Sequence, residues 1–262
     1  MSTKQLFDLS GKIALITGGS RGLGLQMAGA LGEMGAKVAI SARKQKELDD
    51  AAVILATKGI EVLAVVNDLG DGRLESAEKL VSAVIDHFGG IDILVNNAGL
   101  VRGSVAENYP AEAWHKTMQL NVDACFFVAQ QAAKRSMIPR RSGKIINIAS
   151  IAGLGGTAPD SGLYAVAYNT SKGALITLTQ TLATEWGRYN INVNAICPGY
   201  FPTKLSSGMT SIAPALLKAT PLGRAGGDED LKGVVAFFAS EASRHVTGQA
   251  LAVDGGSSVS II

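Results

Sequence analysis

The sequence predicts an α/β fold, a doubly wound parallel sheet of about seven strands with helices on both faces, built as one domain over residues 1–262. Three observations lead there. Short apolar runs alternate with longer amphipathic segments, as strands alternate with crossover helices in a parallel sheet. A glycine-rich stretch, Gly18 to Gly24, separates the first apolar run from the first amphipathic segment. Composition is that of a packed core: 47% hydrophobic and 18% charged residues, with a mean hydropathy of +0.23, which excludes a disordered chain. The 31 glycines follow no three-residue period, so they are not collagen-like. No repeat, low-complexity tract or linker divides the chain.

The elements follow in order. Lys12 to Thr17 (KIALIT) is apolar and β-branched and reads as the first strand; the glycine stretch and a helix to about Met34 come next. Lys37 to Ser41 is a second strand, Gln45 to Lys58 a helix, Glu61 to Val66 a third strand and Asp71 to His87 a helix. Ile91 to Val95 is a fourth strand, Ala111 to Arg135 one long helix, and Lys144 to Ala149 a fifth strand. Tyr164 to Gly187 is another long helix, Ile191 to Ile196 a sixth strand and Leu251 to Val253 a short last one. Right-handed crossovers make such units a doubly wound sheet. Two long connections, Ile151 to Gly162 and Tyr200 to Gly227, follow the C-terminal ends of strands, where open α/β sheets bind ligands.

Several function classes drop out. A formal net charge of +2 offers no electrostatic reason to expect nucleic acid or an anionic membrane as partner. Met1 to Lys12 lacks the apolar centre of a secretory signal, and no apolar run approaches the ~18 residues of a membrane span. Cys125 and Cys197 are too few for a disulfide framework, and His87, His115 and His245 show no metal-ligand spacing, so no metal is expected. A cytoplasmic protein acting on a small molecule is the expectation.

Thr17 to Gly24 (TGGSRGLG) lies between a strand and a helix, with Gly18, Gly22 and Gly24 spaced unlike the usual dinucleotide fingerprint. Glycines let the backbone approach a pyrophosphate, and the next helix offers it free N–H groups and the positive end of its dipole. Asn96-Asn97-Ala98-Gly99 follows the fourth strand, Ser150 the fifth and Pro198-Gly199 the sixth; Tyr168-Asn169-Thr170-Ser171-Lys172 lies on a helix and Val253-Asp254-Gly255-Gly256 near the C-terminus. Together, from about Leu9 to Gly256, these motifs resemble the short-chain dehydrogenase/reductase family, with its Rossmann-type fold. Gly18 to Leu48 looks most like tropinone-type ketone reductases; Asn147 to Ser150 and the Pro159 loop look like gluconate 5-dehydrogenases. The 3-oxoacyl-thioester reductases are a third group of similar members.

Tyr168 and Lys172 are four apart and share one helical face. An ammonium beside a phenol favours the phenolate, which is how a Lys serves a Tyr acid/base. The resemblance implies that Tyr168 protonates the substrate carbonyl oxygen, that Lys172 also holds the nicotinamide ribose, and that Ser150 donates to the carbonyl. It implies that Asn121 kinks its helix and holds a proton-relaying water. Tyr164, four residues before Tyr168, is expected on the same helical face as a substrate wall or packing residue. For the cofactor, the resemblance implies Gly18, Ser20, Arg21, Gly22, Leu23 and Gly24 at the phosphates, and Asp68 with Leu69 at adenine. Asn97, Ala98, Gly99, Pro198 and Gly199 would border the nicotinamide half, with Thr203 at its carboxamide. No acid ends the second strand to grip a ribose 2′-OH; Arg21 and Arg43 could instead fork onto a 2′-phosphate, so NADP(H) is favoured over NAD(H).

The leading expectation is an NADPH-dependent carbonyl (ketone) reductase, reversible as an alcohol dehydrogenase. A gluconate 5-dehydrogenase-like sugar-acid oxidoreductase is the alternative, and a non-catalytic NADP sensor a third reading. Sugar-nucleotide epimerases share the glycine turn and the Tyr/Lys pair but need a further substrate domain after the last strand. Cys125 and Cys197 read as packed thiols. Small residues on the helix after Lys172 (Gly173, Ala174, Thr177, Thr179, Thr181, Ala183), the apolar Val259, Ile261 and Ile262, and the resemblance together imply a homotetramer.

Overall fold

The computed structural model describes residues 1–260 except 157–161, 205, 207 and 209–211. Its sheet has seven parallel strands in the order β3-β2-β1-β4-β5-β6-β7: β1 Ile13–Thr17, β2 Lys37–Ala42, β3 Val62–Val66, β4 Ile93–Asn96, β5 Gly143–Ile148, β6 Ile191–Pro198 and β7 Ala250–Val253. The chain winds outward from β1 to β3, then returns so that β4 pairs with β1, Leu15 opposite Leu94 and Ile16 opposite Val95. That reversal opens a crevice at the C-terminal ends of β1 and β4, where doubly wound sheets take their ligands.

Successive strand residues point to opposite faces, and both faces are covered. Ala14, Ile16, Val38, Ile40 and Ile146 pack beneath α2 (Gly22–Glu33), α3 (Gln45–Ala56) and α10 (Lys232–Ala239). Ile13, Leu15, Ala39, Leu94 and Ile145 pack beneath α4 (Leu74–Phe88), α6 (Ala124–Ala132) and α8 (Val166–Trp186). Four further helices complete the set among the described residues: α1 (Thr3–Leu6), α5 (Ala111–Met118), α7 (Ile138–Arg140) and α9 (Ala213–Lys218). None of the helices among the described residues is long and apolar enough to cross a membrane.

Four expectations are corrected. The single helix over 111–135 is α5 (Ala111–Met118), a π turn at Gln119–Asp123, α6, a second π turn at Ala133–Met137, and then α7. Each π turn inserts an extra residue into the helical ladder, and the first one seats Asn121 fully inside. Tyr164 is not on the helix of Tyr168: α8 starts at Val166, and Ala165 is drawn into a parallel bridge with Ser104, whose N–H donates to Tyr164 O at 2.9 Å. The connection after β6 contains α9, and α10 fills a stretch assigned to no element, because its run is apolar on nearly every side and shows no helical period. Finally, Thr179 and Ala183 are core residues rather than members of an outward stripe, although Thr177 and Thr181 are exposed.

Candidate active site

The glycine turn is held by what surrounds it. Gly18 has φ +65° and Gly22 φ +52°. Gly24 packs so tightly that a Cβ there would collide with the Gly18 carbonyl oxygen and lie 2.5 Å from Asn97 Nδ2. Asn97 Nδ2 donates to Thr17 O at 2.9 Å and Gly18 O at 3.1 Å, while Thr17 Oγ1 accepts from Asn97 N and Ala98 N, both at 3.0 Å. Asn97 thus stitches the end of β4 to the turn after β1. Arg21, the residue before α2, makes no capping bond with its side chain, so the helix offers its first N–H groups to a ligand.

The crevice is a cleft of ≈ 610 Å³, within the size range of cofactor sites. Gly18, Ser20 to Gly24, Arg43, Asp68, Leu69, Asn97 to Gly99 and Thr203, all named from the sequence, line it. Ser41, Ala42, Lys44, Glu47, Asn67, Leu100, Val101, Leu120 and Lys204 join them without having been singled out in the sequence. Pro198 and Gly199 are not on this lining; Gly199 is small because a Cβ would lie 2.7 Å from Asp254 Cβ. Asp68 Oδ1 accepts from Gly70 N at 2.8 Å and closes a turn, and it does not cap α4.

An acid does reach the cleft, from a helix and not from the end of β2. Both Glu47 oxygens accept from Arg21 Nη1 at 3.0 Å, and Lys44 Nζ reaches Oε1 at 3.3 Å. Burial pushes the Glu47 carboxyl up, but Lys44, Arg21 and Lys204 together hold it below its ordinary value. The lining fits a dinucleotide on two counts. The lining includes the cations Arg21, Arg43, Lys44 and Lys204, and also Asn67, whose buried Oδ1 has no hydrogen-bond partner among the described residues, an unpaired acceptor that a ligand N–H would satisfy.

Beyond the cleft lining sits a second cluster. Lys172 is 4% exposed and donates from Nζ to Ile148 O, the last residue of β5, at 2.6 Å. The same Nζ lies 5.6 Å from the Tyr168 ring centroid. Asn121 accepts from Leu100 N at 2.9 Å and donates to Leu100 O at 3.0 Å and to Ser171 Oγ at 2.9 Å. Gly99 meets the cluster: a Cβ there would be 3.3 Å from Asn121 Oδ1 and 3.6 Å from Lys172 Nζ. Ser150, buried, accepts from Ala152 N at 3.1 Å. A hydroxyl that accepts from the main chain keeps its proton for another partner. Burial pushes both Cys125 and Cys197 up to about 11, so neither thiol is a nucleophile near neutrality.

Residues 18–258 match the family model described as enoyl-(acyl carrier protein) reductase. The chain belongs to the short-chain dehydrogenase/reductase family. Among its relatives in this family is the gluconate 5-dehydrogenase of Gluconobacter oxydans (strain 621H), 40% identical over 100% of both chains. The crystal structure of a gluconate 5-dehydrogenase from Burkholderia cenocepacia J2315, in complex with NADP and tartrate, superposes with a TM-score of 0.92 at 35% identity, covering 99% of this chain and 100% of that one. The NADPH-dependent 3-quinuclidinone reductase of Rhodotorula rubra gives a TM-score of 0.91 at 33% identity, covering 99% and 96%.

Proposed function

We propose that this short-chain dehydrogenase/reductase is a single-domain, NADP(H)-dependent oxidoreductase that interconverts a secondary alcohol and a ketone. The observation that carries the reading is the Lys172 ammonium, anchored on Ile148 O and set under the Tyr168 ring beside the cofactor-sized cleft. When bound, the nicotinamide supplies or accepts the hydride. Tyr168 gives its phenolic proton to the carbonyl oxygen during reduction and takes it back during oxidation. Lys172, fixed by Ile148 O, keeps positive charge next to the phenol as its proton moves. Ser150, with its oxygen engaged by Ala152 N, donates its O–H to the same carbonyl oxygen and steadies developing negative charge. Asn121 positions the cluster by joining Leu100 to Ser171.

A sugar acid is the second reading of the substrate, supported by the 40% identity to a gluconate 5-dehydrogenase and by the tartrate-bound relative. The 3-quinuclidinone reductase supports a cyclic ketone instead. Following NADPH and NADH absorbance with keto-sugar acids, cyclic ketones, aryl ketones and β-ketothioesters separates them. Turnover of keto-sugar acids alone selects the sugar-acid reading. Tight NADPH binding without oxidation by any carbonyl would refute the enzyme reading in favour of a sensor. The reading includes a homotetramer; Val259 is 77% exposed, while Ile261 and Ile262 fall outside the described residues. A light-scattering mass equal to the 27.0 kDa chain would refute it.

A further inference from the structure

Glu47 stands at the cationic end of the cleft and does what an incoming phosphate would do there. Its two oxygens take Arg21 Nη1 at 3.0 Å each, and its Oε1 takes Lys44 Nζ at 3.3 Å. Arg43 and Lys204 border the same space. Ion pairs such as Lys37 with Glu61 and Lys116 with Glu112 lie away from the cleft lining. Glu47 comes from the first turn of α3, five residues past the end of β2 at Ala42.

We propose that Glu47 is a resident anion in the 2′-phosphate position, which an NADP(H) phosphate must displace from Arg21 and Lys44, so that Glu47 lowers the preference for NADP(H) over NAD(H). This rests on the NADP(H) reading above. A guanidinium forks equally well onto carboxylate and phosphate, so the two anions compete for one donor set. Exchange costs the existing ion pair and places a carboxylate beside a phosphate. A cofactor without the 2′-phosphate leaves the pair in place and feels neither effect.

Calorimetric titration of the full chain tests this with NADP⁺, NAD⁺, 2′,5′-ADP and 5′-AMP. Glu47→Gln keeps the shape and removes the charge. It should tighten NADP⁺ and 2′,5′-ADP by roughly three- to fivefold, leaving NAD⁺ and 5′-AMP within about 1.5-fold. In Arg21→Met/Glu47→Gln the gain should vanish, since it acts through Arg21. Unchanged or weaker 2′,5′-ADP binding in Glu47→Gln overturns the proposal, as does a matching loss of NAD⁺ and 5′-AMP, which would place Glu47 on the ribose hydroxyls. A wild-type chain that prefers NAD⁺ overturns the NADP(H) reading instead; tighter 2′,5′-ADP in Glu47→Gln would still establish the exchange.

Discussion

Replacing Gly153 by Ala should separate catalysis from cofactor binding. Gly153 ends the turn Ile151–Gly153 that follows Ser150, and its N–H donates to Ser150 O at 3.0 Å. The turn lies directly on the backbone of α8. A Cβ at Gly153 would be 2.5 Å from the Lys172 carbonyl carbon, 2.7 Å from Gly173 N and 2.8 Å from Lys172 O, where ordinary contact begins at 3.4 Å. Backbone lies on both sides, so the Ser150 turn and the Lys172 helix must part by roughly 0.9 Å, at a cost of about 1–3 kcal/mol in stability. A displacement near 1 Å at a reacting centre lowers rate about 100-fold. Steady-state kinetics should therefore show kcat/KM falling about 100-fold, while calorimetric Kd for NADP⁺ stays within about twofold because Gly153 is off the cleft lining. Gly155→Ala, with nothing within 4 Å of its Cβ, is the control and should match the wild type. Full activity in Gly153→Ala would refute the argument that Ser150 and Lys172 are held in register by this contact; so would an equal loss of cofactor affinity.

Other consequences are open to measurement. Tyr168→Phe should reduce kcat/KM by about 100- to 10,000-fold with cofactor Kd unchanged in the same titration; near-normal turnover would remove Tyr168 from the proton-transfer role. Thr179→Val keeps side-chain volume but takes the acceptor from Asn147 Nδ2, now 2.9 Å away in a fully buried site. Urea unfolding at fixed protein concentration should report a loss of about 1–3 kcal/mol, and no loss would mean that Asn147 re-pairs. The two thiols have folded values near 11, raised by burial from 9.0. Burial favours the protonated form, so their contribution is complete below about pH 9 and falls as pH rises toward 11, by about 2–3 kcal/mol per thiol. Urea midpoints of the wild type and of Cys125→Ala/Cys197→Ala should differ in slope across that window; parallel profiles would contradict the buried-thiol argument.

Short-range chemistry was legible in the sequence and long-range pairing was not. The strands showed as apolar runs because both sheet faces are covered, and the glycine turn and the Tyr168/Lys172 spacing are local patterns. Asn121 was named through the family resemblance, yet its partners Leu100 and Ser171 are 21 and 50 residues away. The π turns carry no compositional sign. Glu47 escaped notice because an acid in a first helical turn is ordinary, and its tie to Arg21 spans 26 residues. The row Asn96, Asn147 and Thr179, linked at 2.9 Å per step, likewise draws on three separate elements. Gly153 lies in a connection that the sequence marks only as a long loop, whereas in the structure it serves close approach to α8. The Pro159 part of that loop lies outside the described residues.

The Asn121 clamp also has a mechanical consequence. Leu100 is part of the cleft wall, and Ser171 is the neighbour of Lys172 on α8. One amide side chain therefore makes the wall and the lysine-bearing helix a single mechanical joint. Three hydrogen bonds run through that one amide, so Leu100 and α8 cannot part without leaving a buried polar group of Asn121 unpaired.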